Sequence, residues 1–251
     1  MATRWTLAML NTGWEIFKQN IGGFIGYLIV MFILLGLSVI TVIGTLVVAA
    51  PLMMGFYLVA DKIYKGQQHS FGDFFGGFSH TVQLLIAYLL MMLAASLLTL
   101  PLTGSFVLAF KSIAESGELD GMTDSGEMIS TLLPLMGGSI GLGLLLFVPL
   151  IYVMISLSLT PFLIVFEGFP AVEAMKMSWK LVRKQWLMIF AGYLLAGIIG
   201  QLGSIAFGIG VLFTMPLSYC MHYALYRQVV PASDTLDDKI NEIGTDVNKA
   251  W

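Results

Sequence analysis

Four long stretches without a single Asp, Glu, Lys or Arg constrain this chain more than any motif in it: Ile21–Ala60, Phe74–Phe110, Met128–Phe166 and Gln185–Tyr226. A membrane helix needs roughly 20 apolar residues to cross a hydrocarbon core of about 30 Å. One charge at the centre of such a span costs about 2.5–3.5 kcal/mol, so charge-free runs of this length point to a bilayer. Only 11% of the 251 residues are charged, against about 25% in a soluble domain. Lipid cannot satisfy the open edge of a sheet, so the runs imply helices. They are continuous rather than alternating, which argues against a transmembrane barrel. The first run starts after twenty residues and is far longer than a signal-peptide core of about 7–15 residues. It is therefore expected to stay in the protein.

Taken in order, the chain reads as an all-α, polytopic membrane helical bundle with six transmembrane helices in three hairpins and interfacial amphipathic helices. In Met1–Asn20, the residues Leu10, Trp14, Phe17 and Ile21 recur at helical spacing, with Arg4, Glu15 and Lys18 off the stripe. This predicts a helix at the membrane interface, with Trp14 at headgroup depth. Ile21–Ala60 makes two passes that turn near Gly44 and Thr45, placing Pro51 near the start of the second. In Asp61–His80, the residues Phe71, Phe74 or Phe75, Phe78 and Val82 share a helical face, read as a second interfacial segment, with a plain loop as the alternative. Thr81–Phe110 is one long or kinked pass. An acidic loop follows over Lys111–Glu127, and Leu132–Phe166 returns. Pro170–Lys184 is basic and amphipathic, with Val172, Met175, Trp179, Val182 and Trp186 on one stripe. Gln185–Tyr226 forms the last hairpin, turning near Gln201–Gly203. The domain reading is a single membrane domain over 1–228 and an acidic tail over 229–251. In the tail, Leu236, Ile240, Ile243 and Val247 fit either a short amphipathic helix or a disordered segment.

Charge sets the orientation. Six passes put eleven of the twelve Lys and Arg residues on the side of both termini, leaving only Lys111 opposite. The positive-inside bias then makes both termini cytoplasmic and the acidic loop external. A net charge of −3 gives no reason to expect nucleic acid as a partner. The single Cys220 excludes a disulfide framework and a cysteine-rich metal site.

The two ends of the chain look alike. Ala8-Met9 precedes Trp14 as Ala174-Met175 precedes Trp179, and Lys18 corresponds to Arg183. Gly26-Tyr27-Leu28 pairs with Gly192-Tyr193-Leu194, Pro51-Leu52 with Pro216-Leu217, and Tyr64-Lys65 with Tyr226-Arg227. The expectation is a parallel internal repeat of units 8–65 and 174–227.

Several stretches carry a family resemblance: Trp14-Glu-Ile-Phe-Lys-Gln-Asn, Pro51-Leu with Gly55-Phe-Tyr, Phe71-Gly-Asp-Phe-Phe, Pro161-Phe-Leu-Ile-Val-Phe-Glu167 and Glu173-Ala-Met-Lys-Met-Ser178. Over most of residues 8–227 the chain resembles bacterial multi-pass inner-membrane proteins of uncharacterised function. It is also similar to the membrane domain attached to some glycerophosphodiester phosphodiesterases. The resemblance implies a helical membrane domain without an agreed activity. These residues hold no phosphodiesterase domain, so that activity is not expected of them.

No catalytic constellation is visible, and no cofactor or metal is expected. His69, Asp73 and His80 share a connector, but their spacing matches no tight metal motif. No ionisable residue is expected deep in a span, which lowers the case for ion-coupled transport. Ser156, Ser158, Thr160, Thr99, Thr103 and Thr214 are expected to bond to their own helix backbones. The glycines read as close-packing positions, within the chain or in a homo-oligomer. Two residue sets remain. Trp14, Lys18, Lys176, Trp179, Lys180, Arg183 and Lys184 are candidates for contact with lipid headgroups, anionic ones in particular. Gln201, Tyr219 and His222 are candidates for a polar cavity. The sequence-level reading is a noncatalytic scaffold, assembly or lipid-organising module, with the acidic tail as a candidate protein-binding segment. The alternative is a transporter or channel for a lipid-like or neutral solute. An enzyme acting on lipid rests only on the family neighbourhood and His222.

Overall fold

The computed structural model describes residues 2–40, 42–116, 125–205 and 208–230. Every regular element among them is helical. In order these are α1 (Ala2–Gln19), α2 (Ile21–Ser38), α3 (Val42–Tyr64), a 3-10 segment (Phe71–His80), α4 (Thr81–Ser116), α5 (Ser125–Ser156), α6 (Thr160–Glu167), α7 (Ala171–Arg183), α8 (Trp186–Ile205) and α9 (Val211–Val229). Five candidate spans are long and apolar enough to cross a membrane: Ile21–Ser38, Gly44–Tyr64, Phe71–Ser112, Gly141–Glu167 and Trp186–Ile205. The chain is thus a helical membrane protein. Expectations for the tip of the acidic loop and for the tail beyond Val230 lie outside the described residues.

The chain divides into two units, residues 1–88 with 156–251, and residues 89–155. In the second unit, a Cβ placed on Gly143 of α5 would reach Leu102 of α4 at 3.6 Å, so the two helices touch there. Thr99 and Thr103 bond to carbonyls one turn back, as expected. Lys111 and Glu115 stand four residues apart within α4, paired at 3.6 Å, and so belong to a helix rather than to the loop.

The first unit is built on α3 and α9. The most apolar window of α3 is 61% buried by protein, against 22% for α2 and for α8. α9 packs against α1, α2, α3 and α8. It is not among the five apolar spans. Its surroundings supply the reason, because a helix enclosed by protein rather than lipid can carry Tyr219, His222, Tyr223, Tyr226 and Arg227. Beside the pair lies an aromatic core. Phe74 of the 3-10 segment stacks on Tyr27 at 4.4 Å, Tyr27 meets Phe56 at 4.9 Å, and Phe56 stacks on Tyr219 at 4.5 Å. Tyr27 Oη donates to the Leu52 carbonyl at 2.7 Å. Gly55 makes room for this contact, since a Cβ there would strike the Phe74 carbonyl and the Tyr27 ring. The Phe-rich segment is therefore more than a surface strip. Phe74 and Gly77 are buried, while Phe71 and Phe78 are exposed.

Several local expectations change. α2 ends at Ser38 and α3 begins at Val42, so Gly44 lies inside α3 and Pro51 lies in its middle. An internal proline is tolerated where neighbouring helices cover the freed backbone. α8 runs on to Ile205, so Gln201–Gly203 lies within it, and Gly208 beyond adopts a φ of +79°. Gly203 is a packing position instead, with the backbone of Gly210 where its Cβ would stand. The stripe expected on α1 is rotated. Met9, Gly13, Ile16 and Phe17 are buried, and Trp14 is 47% exposed. The expected pass Leu132–Phe166 contains most of the candidate span Gly141–Glu167, but its helix is interrupted, since α5 ends at Ser156 and α6 begins at Thr160.

Candidate functional site

The break between α5 and α6 is the most unusual backbone in the first unit, because an interrupted membrane helix leaves N–H and C=O groups that lipid cannot satisfy. One side chain answers two of them. Ser178 of α7, fully buried, donates to the Ser156 carbonyl at 2.8 Å and accepts from the Leu159 N–H at 3.2 Å. Tyr193 of α8 donates to the Ser158 carbonyl at 3.3 Å. His222 of α9 stacks on Tyr193 at 4.7 Å and meets Tyr219 edge-on at 6.5 Å. Ser158 Oγ, Thr160 Oγ1 and His222 Nε2 are buried without a hydrogen-bond partner. Ser158 and Thr160 thus depart from the expectation that they bond to their own helix, although the chain keeps a turn at the break in which the Thr160 N–H donates to the Leu157 carbonyl at 3.0 Å. Asp, Glu, Lys and Arg are absent from this group of residues.

Outside it, α8 carries an open groove of about 610 Å³. Tyr193 stands at one end, Ser204 and Ile205 at the other, with Leu194, Ile198 and Gln201 between.

α7 forms a second distinctive surface. Its N-terminal N–H, on Ala171, is capped by Gln83 Oε1 at 2.9 Å. Glu173 in its first turn and Lys180 and Arg183 in its last complement the helix dipole. Three faces can be told apart. Ala171, Ala174, Ser178, Leu181 and Val182 are buried against protein. Of the remaining apolar residues, Val172 is 50% exposed and Met175 and Trp179 are half-buried. Lys176, Lys180, Arg183 and Lys184 are exposed, and the first three form no ion pair with any described residue.

A third cluster ties three helix ends together. Asp61 of α3 accepts from Tyr223 Oη at 2.7 Å and from the Arg227 guanidinium, and Lys65 pairs with its other oxygen at 2.8 Å. Arg227 Nε donates to Tyr223 Oη at 2.8 Å. Its guanidinium lies 5.3–5.7 Å from the rings of Phe166, Tyr223 and Tyr226. Tyr226 Oη donates to Glu167 at 2.8 Å, which brings in the end of α6. Asp61 and Arg227 are nearly buried, so both charges are fixed by partners rather than by water.

With the geometry in place, kinship can be stated. The chain belongs to the family described as Domain of unknown function (DUF7847). The match covers residues 28–240. No protein of curated function and no solved structure matches the chain.

In this DUF7847 member, the expected residues fall as follows. Tyr219 and His222 are brought together, but Gln201 is not with them. It lies on the exposed side of α8, two turns along from Tyr193. Lys18 is exposed and pairs with Glu15 at 2.8 Å. Among the described residues no group of His, Cys, Asp and Glu has the geometry of a metal site. His80 instead meets Ser79 Oγ at 2.9 Å, and Asp73 pairs with Lys62 at 2.8 Å and caps the 3-10 segment through the Ser70 N–H. Sequence reasoning missed Ser158, Thr160 and Tyr193. Asp61 and Glu167, not among the candidates from sequence, belong to the cluster with Tyr223, Tyr226 and Arg227. One signal was readable: Tyr223 and Arg227 stand one helical turn apart, the spacing of an interacting pair.

Proposed function

We propose that this protein is a noncatalytic, lipid-organising module of the bacterial inner membrane, with α7 lying in the cytoplasmic interface and holding anionic headgroups. The observation that carries this reading is the three-way division of α7. A helix buried in protein hides its large apolar residues, and one in water exposes few of them. Here Ala171, Ala174, Ser178, Leu181 and Val182 meet protein, Val172 is exposed, Met175 and Trp179 are half-buried, and the bases flank them, an arrangement that suits an interfacial helix. Each base near an anionic surface contributes about 1 kcal/mol. Trp14, also exposed, and Lys18 would serve α1 in the same way.

The wider topology belongs to the same proposal: α9 as a sixth span, three hairpins, both termini cytoplasmic, and a parallel duplication. Trp14 and Trp179 stand 165 residues apart, as do Lys18 and Arg183, and Pro51 and Pro216. Burial follows that register. Met9, Gly13, Ile16 and Phe17 correspond to Ala174, Ser178, Leu181 and Val182, all buried, and Phe24, Tyr27 and Met31 to Ile189, Gly192 and Ala196. Tyr27 then pairs with Gly192, one residue away from the Gly-Tyr-Leu match. The likeness to the membrane domain attached to some glycerophosphodiester phosphodiesterases stands within this proposal, with no activity carried over.

Native mass spectrometry of protein released from nanodiscs of mixed phosphatidylglycerol and phosphatidylcholine tests the reading. Wild type should retain phosphatidylglycerol selectively. The variant Lys176→Gln/Lys180→Gln/Arg183→Gln should lose most of that preference. Equal retention of both lipids by wild type would refute it. A transporter or channel for a neutral solute is the second reading, favoured by the interrupted α5–α6 path. Uptake of uncharged solutes into proteoliposomes would separate the two.

A further inference from the structure

We infer that the acidic segment Asp234–Asp246 docks on the exposed basic face of α7 and competes there with anionic lipid headgroups. This deepens the reading of α7 as a headgroup-binding helix and rests on it. The charges that the fold leaves over carry the inference. Lys18, Lys62, Lys65, Lys111 and Arg227 each pair with a carboxylate. Lys176, Lys180 and Arg183 are exposed and pair with no described carboxylate. At steps of four and three residues, they share one side of α7. The acids divide in the same way. Glu15, Asp61 and Asp73 are held by bases, and Glu167 accepts from Tyr226. Glu173 stands in the first turn of α7, where the helix dipole favours it. With the acidic loop across the membrane, the acids left on the side of the termini are Asp234, Asp237, Asp238, Glu242 and Asp246, and Lys239 is the one base among them.

The chain brings the two sets together. Tyr226 Oη donates to Glu167 at 2.8 Å, and α7 starts at Ala171, four residues after Glu167. α9 therefore ends beside the start of α7. Val230 is buried, and its N–H closes the last turn on the Tyr226 carbonyl at 2.8 Å. From there, Asp238 and Glu242 lie eight and twelve residues on, a reach of up to about 26–40 Å. α7 is about 20 Å long at 1.5 Å per residue, so its bases are within range. A tether this short gives an effective concentration on the order of mM, which a few exposed ion pairs turn into occupancy. Such pairs are weak and screened by salt, so a headgroup can displace the segment. An anionic membrane surface repels the acids, and α7 is where they are attracted.

The test uses the full chain, one copy per nanodisc, and a water-soluble carbodiimide, which joins a lysine to a carboxylate in contact with it. In phosphatidylcholine, Lys176 or Lys180 should cross-link to the acids of Asp234–Asp246. Equal parts of phosphatidylglycerol should lower the yield about three- to tenfold, as loss of two or three exposed ion pairs predicts. Asp234→Asn/Asp237→Asn/Asp238→Asn/Glu242→Gln should raise phosphatidylglycerol retention by a similar factor and leave the melting temperature unchanged. In the Lys176→Gln/Lys180→Gln/Arg183→Gln background, the same neutralisation should raise nothing. An equal rise in both backgrounds overturns the inference, because the acids would then act through net charge alone. So do cross-links confined to Lys18, Lys62 or Lys65, or cross-links that phosphatidylglycerol does not reduce. Failure of the α7 reading looks different: phosphatidylglycerol is not selected with or without the acids, which overturns the competition even where the cross-links form.

Discussion

Neutralising Asp61 by Asp61→Asn should leave Arg227 charged, nearly buried and without its carboxylate. The side chains are 11% and 12% exposed, so the pair is shielded from solvent and its loss cannot be made good by hydration. Breaking one partner of such a pair costs about 3–5 kcal/mol. The three rings around the guanidinium remain and offset part of this, about 0.5–2 kcal/mol. A net loss of roughly 2–4 kcal/mol follows. Lys65, 45% exposed, stays solvated and adds little. Arg227→Met should cost a comparable amount by stranding Asp61. The double variant loses the attraction but also the burden of desolvation, so it should lie closer to wild type than the sum of the two. Thermal unfolding followed by tryptophan fluorescence, with all four proteins in the same nanodiscs, measures the cycle. At about 2–4 °C per kcal/mol for a domain of this size, each single variant should melt roughly 4–16 °C lower. If the two shifts simply add in the double variant, the cluster holds no coupling energy and the reasoning fails.

Two further expectations concern packing. Gly55→Ala should lower the melting temperature by the amount that overpacking costs, about 1–3 kcal/mol or more, because the new methyl meets the Phe74 carbonyl and the Tyr27 ring; an unchanged melt would show that this contact relaxes freely. Ser178→Ala should leave the Ser156 carbonyl and the Leu159 N–H both unpaired, at about 1–3 kcal/mol each, and faster hydrogen exchange at Leu159 would report it directly.

The apolar runs made the helices legible, because length and freedom from charge decide what can cross a bilayer. Which face of a helix meets protein was not legible, and α1 and α7 show why. In water the largest apolar residues turn inward. In lipid they are at home outside, and small residues mark the protein contact. The stripes Leu10–Trp14–Phe17 and Val172–Met175–Trp179 were sound helical patterns, but the buried face of α7 is Ala171, Ala174, Ser178, Leu181 and Val182 and that of α1 is Met9, Gly13, Ile16 and Phe17, so small residues share the contact with large ones. The turns were misplaced for a related reason. Glycine at 44 and 203 was taken as punctuation, whereas Gly203 admits the close crossing of α8 and α9. The α5–α6 break had no sequence signal beyond Pro161, which a first-turn proline does not turn into a warning. Of the candidate site, Tyr219 and His222 were legible as polar residues on an apolar helix. Ser158 and Thr160 were not, because small hydroxyls usually bond to their own helix and only a helix that stops leaves them free.

α9 sits inside the first unit with Arg227, His222 and three tyrosines on it, and this bears on how the protein is made. A segment of that composition gains little from entering lipid alone. Its favourable surroundings are α1, α2 and α3, which leave the ribosome first. The N-terminal helices, together with α8, enclose the last one, so its place in the fold rests on contacts with protein rather than on affinity for lipid.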